Sequence, residues 1–485
     1  MEYKYPEVKK EYEKRLKGVV NKVNDLSNYS EKIMWNQTVN NYVQTMNKMK
    51  LILKDQNIEE YATDGLMKNL DTFVEKCKTP EFHIAFVGAI KAGKSTLINA
   101  LLGKELASTS VTPETAALTK FRSSKGKDYI KLKFYNKYEW DRLWKSVEDS
   151  NAEVFKEEYS ELNAENQKRK WIGSEDKYIE FDNDQNLINE IKRWTSSKEA
   201  THYFVKEVEV GLKDFNLPEQ VVFIDTPGLD DPVKYRSDIT RDYIDKANAV
   251  LVCVKADAMT GQELATIYSV FANTRYNPEK VYIVGTQLDT LNNPEKNWQE
   301  QRREWLKHLR QKDCFGSISL AEKNLVVVSA YLYSLLNNYD KLDEDTIYFD
   351  VEPIARKFRV RKIEKNMDKL KEITRVDALN FKLGEEIINK HQKILLDDLK
   401  QGYLDNKEDL INFFNNIRNE QQDLLETANQ DIHEIRKKRE QSLQKLEESQ
   451  NEKAELEETL EYIKEVTTKR ANELYKTIRN MRKQG

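Results

Sequence analysis

The spacing of apolar residues divides the chain into three segments. In residues 1–79 the apolar side chains recur every three or four positions, which predicts two or three amphipathic helices ending at Pro80. Residues 80–390 contain short apolar runs separated by helix-like stretches, and residues 391–485 return to helical spacing with almost no glycine or proline. We therefore expect N-terminal helices, a central domain and a C-terminal helical bundle or coiled-coil stalk.

Each N-terminal helix is marked by one apolar stripe. The stripes are Leu16, Val19, Val23 and Leu26, then Val39, Val43, Met46, Met49 and Leu53, then Leu66, Leu70, Phe73 and Cys77. One apolar face on each helix requires a packing partner. Because helices precede and follow the central domain, we expect both sets to join in one neck or bundle.

The central segment has the pattern of an α/β domain. Its apolar runs cover residues 84–87, 221–224, 249–254, 281–284 and 325–328, and they predict a mostly parallel sheet with helices on both faces. Residues 130–134 and 205–210 alternate in polarity, which predicts two added strands with one wetter face. The charged residues between them, about 138–198, lack a strand pattern and predict a helical insertion.

The C-terminal segment has an interrupted three-four spacing of apolar residues. Its apolar positions are Leu443, Leu446, Leu456, Leu460, Ile463, Ala471, Leu474, Ile478 and Met481. Such spacing predicts long helices that pack as a coiled coil, and the alternative is a single solvated helix. The apolar residues at 411–414 are the best candidates for an exposed contact, although their spacing is also typical of a helix core.

Composition narrows the class of protein. The chain has 79 basic and 83 acidic residues, so we expect no nucleic-acid partner, because such binders normally carry a basic excess. The first 30 residues lack a secretory pattern and no run of 18 apolar residues occurs, which favours a cytoplasmic protein without membrane spans. The three cysteines are far apart, and the five histidines lack ligand spacing, so neither set predicts a metal site.

A phosphate-binding loop is predicted directly after the first apolar run. Gly88, Gly93, Lys94 and Ser95 form the pattern G-x-x-x-x-G-K-S between a strand pattern and a helix pattern. In such loops the backbone N–H groups hold phosphates, the lysine reaches the β and γ oxygens, and the serine hydroxyl ligates Mg²⁺. The predicted nucleotide contacts are Gly88, Ala89, Ile90, Lys91, Ala92, Gly93, Lys94, Ser95 and Thr96.

Three later motifs follow apolar runs and are candidates for the remaining nucleotide contacts. In the DTPG sequence, Asp225 can support the metal through water and the Gly228 amide can sense the γ-phosphate, although such residues are also typical of turns. In the TQLD sequence, Asp289 can pair with the N1 and N2 hydrogens of guanine, with Thr286 in support. Gln287 occupies a position that is usually lysine in GTPases. This difference predicts weaker selectivity or affinity for guanine. The final base-contacting turn is predicted at Ser329 and Ala330.

The order of these motifs resembles the GTPase domain of the dynamin superfamily, and of bacterial dynamin-like proteins in particular. The resemblance covers roughly residues 80–390 and includes the P-x-T sequence of residues 113–115. It implies that Thr115 closes over Mg²⁺ and the γ-phosphate, with Thr112 and Thr119 as nearby competitors. The implied metal contacts are therefore Ser95, Thr115 and Asp225.

Hydrolysis requires a charge near the leaving phosphate, and Lys91 is the candidate. Leu229 occupies the position where small GTPases carry a water-orienting glutamine, so another group must act. The resemblance implies either a monovalent cation or a basic side chain of the phosphate loop, acting when two GTPase faces meet. We expect Lys91 to be an internal finger, and the alternative is a solvated surface lysine. The candidate catalytic residues are Lys91, Lys94, Thr115 and Gly228.

The resemblance implies a large GTPase that converts GTP to GDP and phosphate with Mg²⁺. It further implies nucleotide-dependent dimerisation coupled to a helical stalk, for membrane remodelling or tethering at a membrane periphery. The expected partners are GTP and GDP, a second copy through the GTPase face, and membrane lipids or a partner dynamin-like protein. The alternatives are a soluble GTPase switch whose helical bundle binds proteins, and a nucleotide-binding scaffold with little turnover.

Overall fold

The computed structural model describes residues 36–55, 58–62, 64–107, 117–229, 233–257, 259, 261–274, 277–428 and 432–484, together with residues 10, 13, 14, 17 and 18. The described residues form two compact units. One unit lies between residues 75 and 401, and the other combines residues before 75 with residues after 401. The first predicted stripe, from Leu16 to Leu26, lies outside the described residues.

A nine-stranded sheet forms the centre of the 75–401 unit. Its strands are β1 Phe82–Gly88, β2 Leu118–Ser123, β3 Asp128–Phe134, β4 Lys177–Phe181, β5 Val205–Leu212, β6 Val221–Asp225, β7 Ala249–Lys255, β8 Val281–Thr286 and β9 Leu325–Val327. They are arranged in the order β4-β3-β5-β2-β6-β1-β7-β8-β9. Strands β6, β1, β7, β8 and β9 are parallel to one another, which confirms the predicted parallel core.

The described part of the 75–401 unit also contains thirteen helices of six residues or more. They are α3 Lys94–Leu102, α4 Lys137–Asp149, α5 Glu153–Glu161, α6 Glu165–Trp171, α7 Asp184–Thr195, α8 Lys234–Lys246, α9 Gly261–Asn273, α10 Pro294–Leu309, α11 Ile318–Asn324, α12 Ala330–Asn337, α13 Glu352–Lys357, α14 Met367–Thr374 and α15 Val376–Glu386. Strands β6 and β8 are buried at every position, and β7 is buried at every position except its last. Because successive strand residues point to opposite faces, the parallel strands are covered on both sides, as predicted.

The other edge of the sheet differs from the prediction in two places. Strand β4 lies inside the stretch that was expected to be only helical, and it pairs antiparallel with β3. Its side chains are exposed or half-buried, so no apolar spacing marks it, and backbone pairing with β3 forms the strand. Strand β2 was also not predicted; it pairs antiparallel with β6 and parallel with β5. The predicted added strands at 130–134 and 205–210 are confirmed as β3 and β5.

Four further helices lie in the parts of the described chain before β1 and after α15. They are α1 Gln37–Leu53, α2 Asp64–Lys78, α16 His391–Ala428 and α17 Ile432–Gln484. Val39, Val43, Met46 and Leu53 of α1 are buried, which confirms the second stripe as a packed helix face. None of the described helices combines the length and the apolar character needed to cross a lipid bilayer.

The C-terminal helices expose the apolar residues that were singled out from the sequence. Ile411 is 49% exposed, and Phe413 and Phe414 are half-buried with ring centroids 5.2 Å apart. In α17, Leu456 and Leu474 are 66% and 67% exposed. The stripe on α17 is therefore not covered by the described residues, and coiled-coil packing stays a prediction.

Candidate nucleotide-binding site

The loop from Gly88 to Ser95 joins strand β1 to helix α3. Gly88 lies so close to β7 that a Cβ atom would be 2.5 Å from the carbonyl oxygen of Cys253, a separation that only glycine permits. Gly93 precedes α3 with a φ of 80°, and Lys91 has a φ of 65° in the left-handed region. The loop therefore wraps the N-terminus of α3, where the free backbone N–H groups and helix dipole favour an anion.

Lys94 lies in the first turn of α3 and spans this loop. Its side chain is buried, and its ammonium group donates hydrogen bonds of 3.0 Å to the carbonyl oxygens of Gly88 and Ala89. A buried ammonium group adds a full positive charge to the partial charge of the helix N-terminus. The combination is suited to a polyanion such as a nucleotide phosphate chain.

Ser95 and Asp225 bring two oxygen groups together beside the loop. The hydroxyl of Ser95 donates to the carboxylate Oδ2 of Asp225 at 3.2 Å, and the Asp225 Oδ1 atom is buried with no hydrogen-bond partner among the described residues. Complete burial raises the pKa of Asp225 to about 6, although the Lys94 charge and the Ser95 hydroxyl act in the opposite direction. Hard oxygen donors with one unpaired buried atom fit a hydrated Mg²⁺ ion.

The segment after Asp225 is tied to the sheet and to α8. Thr226 donates through its hydroxyl to the Phe86 carbonyl at 2.8 Å, and Thr240 donates to the Pro227 carbonyl at 2.9 Å. These bonds fix the residues directly before Gly228, which is itself buried. Leu229 packs against the apolar core, so its side chain does not orient water at this site.

Two side chains at the end of β8 bind the phosphate loop from the other side. The Thr286 hydroxyl donates to the carbonyl oxygens of Ala92 at 2.6 Å and of Val254 at 3.2 Å. Gln287, itself in a left-handed conformation, donates from Nε2 to the Lys91 carbonyl at 3.0 Å. Gln287 therefore holds the backbone of Lys91 in the position that the loop requires.

Asp289 meets the turn after β9. The Ser329 hydroxyl donates to the Asp289 carboxylate Oδ1 at 2.5 Å, and Ala330 begins helix α12 one residue later. Lys357 donates to the Asp289 backbone carbonyl at 2.8 Å. Sequence reasoning missed Lys357, because a lysine 68 residues beyond Asp289 on helix α13 belongs to no local motif.

The predicted site residues converge at the carboxyl ends of parallel strands. Gly88, Asp225 and Thr286 are the last residues of β1, β6 and β8, which is where α/β sheets bind ligands. Thr112 and Thr115 lie outside the described residues. Thr119 lies within β2, opposite Asp225 in the antiparallel pairing.

Comparison with known proteins shows what this part of the chain is similar to. Residues 84–284 match the model of the dynamin family. Dynamin-like protein 1 of Campylobacter jejuni subsp. jejuni serotype O:23/36 (strain 81-176) is 29% identical over 255 residues, which are 51% of this chain and 32% of that protein. An uncharacterised protein in the xynA 3′ region of Caldicellulosiruptor sp. (strain Rt8B.4) is 25% identical over 198 residues, or 41% of this chain and 39% of that protein.

The matches cover 32% and 39% of the lengths of these curated relatives. A solved structure of an oligomerised bacterial dynamin pair, described as sensing and tethering membranes over long range, aligns with a TM-score of 0.46 at 22% identity, covering 93% of this chain and 70% of that one. The family match includes the phosphate loop, the DTPG segment and most of β8. Residues 84–284 are therefore similar to the dynamin family.

Proposed function

We propose that this protein hydrolyses GTP to GDP and phosphate with Mg²⁺. The observation that carries the proposal is the group formed by Lys94, Ser95 and Asp225 at the N-terminus of α3. It combines a buried cation, a hydroxyl and a buried carboxylate, one oxygen of which has no hydrogen-bond partner in the part of the chain that the structure describes. Those are the groups that a triphosphate and its metal ion require.

Each group at the phosphate end has a separate role. The loop amides and Lys94 bind the β and γ phosphates, and Gly228 senses the γ-phosphate. Ser95, Asp225 and Thr115 hold Mg²⁺, and the ion neutralises charge on the phosphate oxygens when it is bound. Asp225 is mostly ionised at pH 7 because its pKa of about 6 lies below that value, so it is ready to accept from a water of the metal.

At the base end, Asp289 reads guanine. Ser329 holds Oδ1 of its carboxylate, and Lys357 holds its backbone carbonyl, so two contacts orient this side chain. We assign Oδ2 to the N1 and N2 hydrogens of guanine, which adenine does not offer in that arrangement. Thr286, Gln287 and Ala330 complete the pocket as loop and backbone contacts.

Lys91 supplies positive charge during hydrolysis. It is exposed, and its backbone is held by Gln287, so the side chain is free to turn toward the phosphates while the loop stays in place. A charge supplied in this way accelerates other GTPases by about 10³- to 10⁵-fold.

Lys91 acts when the nucleotide-binding faces of two copies meet. The helical segments transmit that dimerisation to a membrane or a partner dynamin-like protein.

The test measures phosphate release from GTP and from ATP as a function of protein concentration, with and without K⁺. GTP-selective activity that rises with concentration and ignores K⁺ supports both the guanine assignment and Lys91. Lys91→Ala then abolishes the rise of GTP hydrolysis with protein concentration. Lys145→Ala, at an exposed lysine on α4, leaves that rise unchanged. Equal use of ATP would overturn the function, and full activity of Lys91→Ala would overturn the finger.

Membrane action has its own test. Co-sedimentation of the protein with liposomes in the presence of GTP is expected, and it should be lost when Lys94→Ala removes nucleotide binding. Protein that stays in the supernatant under all nucleotide conditions would contradict membrane remodelling or tethering.

A further inference from the structure

The described residues leave the apolar stripe on helix α17 uncovered, and the stripe is regular toward the C-terminal end of the helix. Leu460, Ile463 and Leu474 are each more than half exposed. From residue 456 the sequence places Leu456, Leu460, Ile463, Thr467, Ala471, Leu474, Ile478 and Met481 at successive steps of four or three residues. At 100° per residue these positions fall within about 80° of the helix circumference, so they form one continuous face.

The stripe repeats every 11 residues, as the pairs 456 and 467, 460 and 471, and 463 and 474 show. Eleven residues complete three turns at about 3.67 residues per turn, which is close to the α-helical value. A stripe of this period therefore runs almost straight along the helix for about 39 Å, without the supercoiling that a seven-residue repeat imposes.

The same stripe is nearly symmetric about its midpoint, close to residue 469. Reversing the helix brings position 456 opposite 481, 460 opposite 478, 463 opposite 474 and 467 opposite 471, all to within one residue. Two antiparallel copies would thus place an apolar position against an apolar position in three of four layers. Thr467 and Ala471 form the fourth layer next to the two-fold axis.

The charged residues of α17 from residue 446 onward are also divided near residue 469, with mostly acidic residues before it and mostly basic residues after it. Residues 446–465 carry eight acidic and two basic side chains, and residues 466–484 carry six basic and one acidic side chains. An antiparallel pair centred near residue 469 puts the acidic half of each helix against the basic half of the other. A parallel pair would instead put like charge against like charge along its whole length, which is unfavourable.

We propose that residues 456–481 of α17 form an antiparallel two-fold helix pair with a second copy of this chain. The stripe supplies the buried seam, and the opposed charge blocks select orientation and register. This association does not require nucleotide and is separate from dimerisation through the GTPase face, so it stands or falls independently of the proposed hydrolysis.

Disulfide trapping in the full chain tests orientation and register together. Ile463→Cys and Leu474→Cys variants are purified separately, and each is expected to stay uncrosslinked alone, because its two copies lie 11 residues apart along the pair. Mixing the two variants should yield a crosslinked dimer under mild oxidation. The native Cys77, Cys253 and Cys314 are buried, which keeps the background low.

The control uses two positions that would lie level with each other on the outer faces of the pair. A mixture of Glu458→Cys and Arg479→Cys should not crosslink, since these positions point away from the stripe. Crosslinking of Ile463→Cys with itself would indicate a parallel pair and overturn the proposal. Failure of the 463 and 474 mixture to crosslink would overturn it as well.

Sedimentation equilibrium without nucleotide provides the second measurement. The wild-type chain should dimerise, and Ile463→Asp should raise the dissociation constant by about 100-fold or more, because each dimer buries two copies of this position. Raising the salt concentration should weaken the wild-type dimer by screening the charge blocks. A monomeric wild type would refute the proposal and would favour the alternative of a single solvated helix.

Discussion

Asp225 offers a quantitative test of the site, because its burial has opposite consequences for folding and for nucleotide binding. Replacing it with asparagine keeps the shape and removes the buried charge. The pKa of Asp225 is about 6 in the folded chain, compared with an ordinary value of 3.8. Above pH 6, a difference of about two pKa units lowers the unfolding free energy of the wild type by about 3 kcal/mol.

The raised pKa of Asp225 determines how the stability of the protein depends on pH. The raised pKa means that the folded state prefers the protonated form, so this penalty is absent below pH 3.8 and develops as the pH rises to 6. Nucleotide-free Asp225→Asn should therefore be more stable than the wild type at pH 7.5. Its advantage should shrink by roughly 1.4 kcal/mol when the comparison is made at pH 5.

Chemical denaturation followed by tryptophan fluorescence is a suitable assay, because Trp140, Trp144, Trp171, Trp194, Trp298 and Trp305 all lie between residues 75 and 401. Asp128→Asn is the matched control. Asp128 is also buried, but its carboxylate accepts a 2.7 Å hydrogen bond from the Lys213 backbone, so its replacement should give no gain.

The same variant tests function in a second measurement. Wild-type protein should be stabilised by Mg²⁺ and GTP together, and Asp225→Asn should lose that stabilisation. A variant that is no more stable than the wild type at pH 7.5, with the same pH dependence, would refute the reasoning about burial. Undiminished stabilisation by Mg²⁺ and GTP would refute the metal role instead.

Three further predictions concern neighbouring residues. Gly88→Ala should lower stability by about 1–3 kcal/mol in denaturation and abolish GTP binding in a filter assay, because its Cβ would collide with the Cys253 carbonyl; unchanged binding would contradict this. Gln287→Ala should reduce the turnover number more than nucleotide affinity, since it releases the Lys91 carbonyl, whereas Gln287→Lys, which keeps a donor, should retain activity; equal loss in both variants would argue against the hydrogen bond. Asp289→Asn should shift preference from GTP toward xanthosine triphosphate in competition assays, because the amide can donate a hydrogen bond to the oxygen that xanthine carries on C2 in place of the amino group of guanine. An unaltered preference for GTP would exclude Asp289 as the residue that recognises the base.

Sequence patterns were sufficient for the parallel core and for the individual motifs. Burial on both faces requires apolar side chains at nearly every position of a strand. For this reason the sequence shows the parallel strands as short apolar runs, which are β1, β6, β7, β8 and β9. The phosphate loop was predictable for a different reason. Its glycines and lysine are required by local backbone geometry and by phosphate chemistry within eight residues.

Long-range contacts carried no such local signal. Strand β4 is exposed and exists because β3 offers it backbone hydrogen bonds, and Lys357 reaches Asp289 only because helix α13 packs beside that loop. The bond from Gln287 to the Lys91 carbonyl joins residues 196 positions apart. The sequence by itself determined which residues form the motifs of the candidate site, since side-chain type and local spacing suffice for that. Only the tertiary structure decided which of them meet, because a hydrogen bond or an ion pair depends on distances that arise when the sheet assembles.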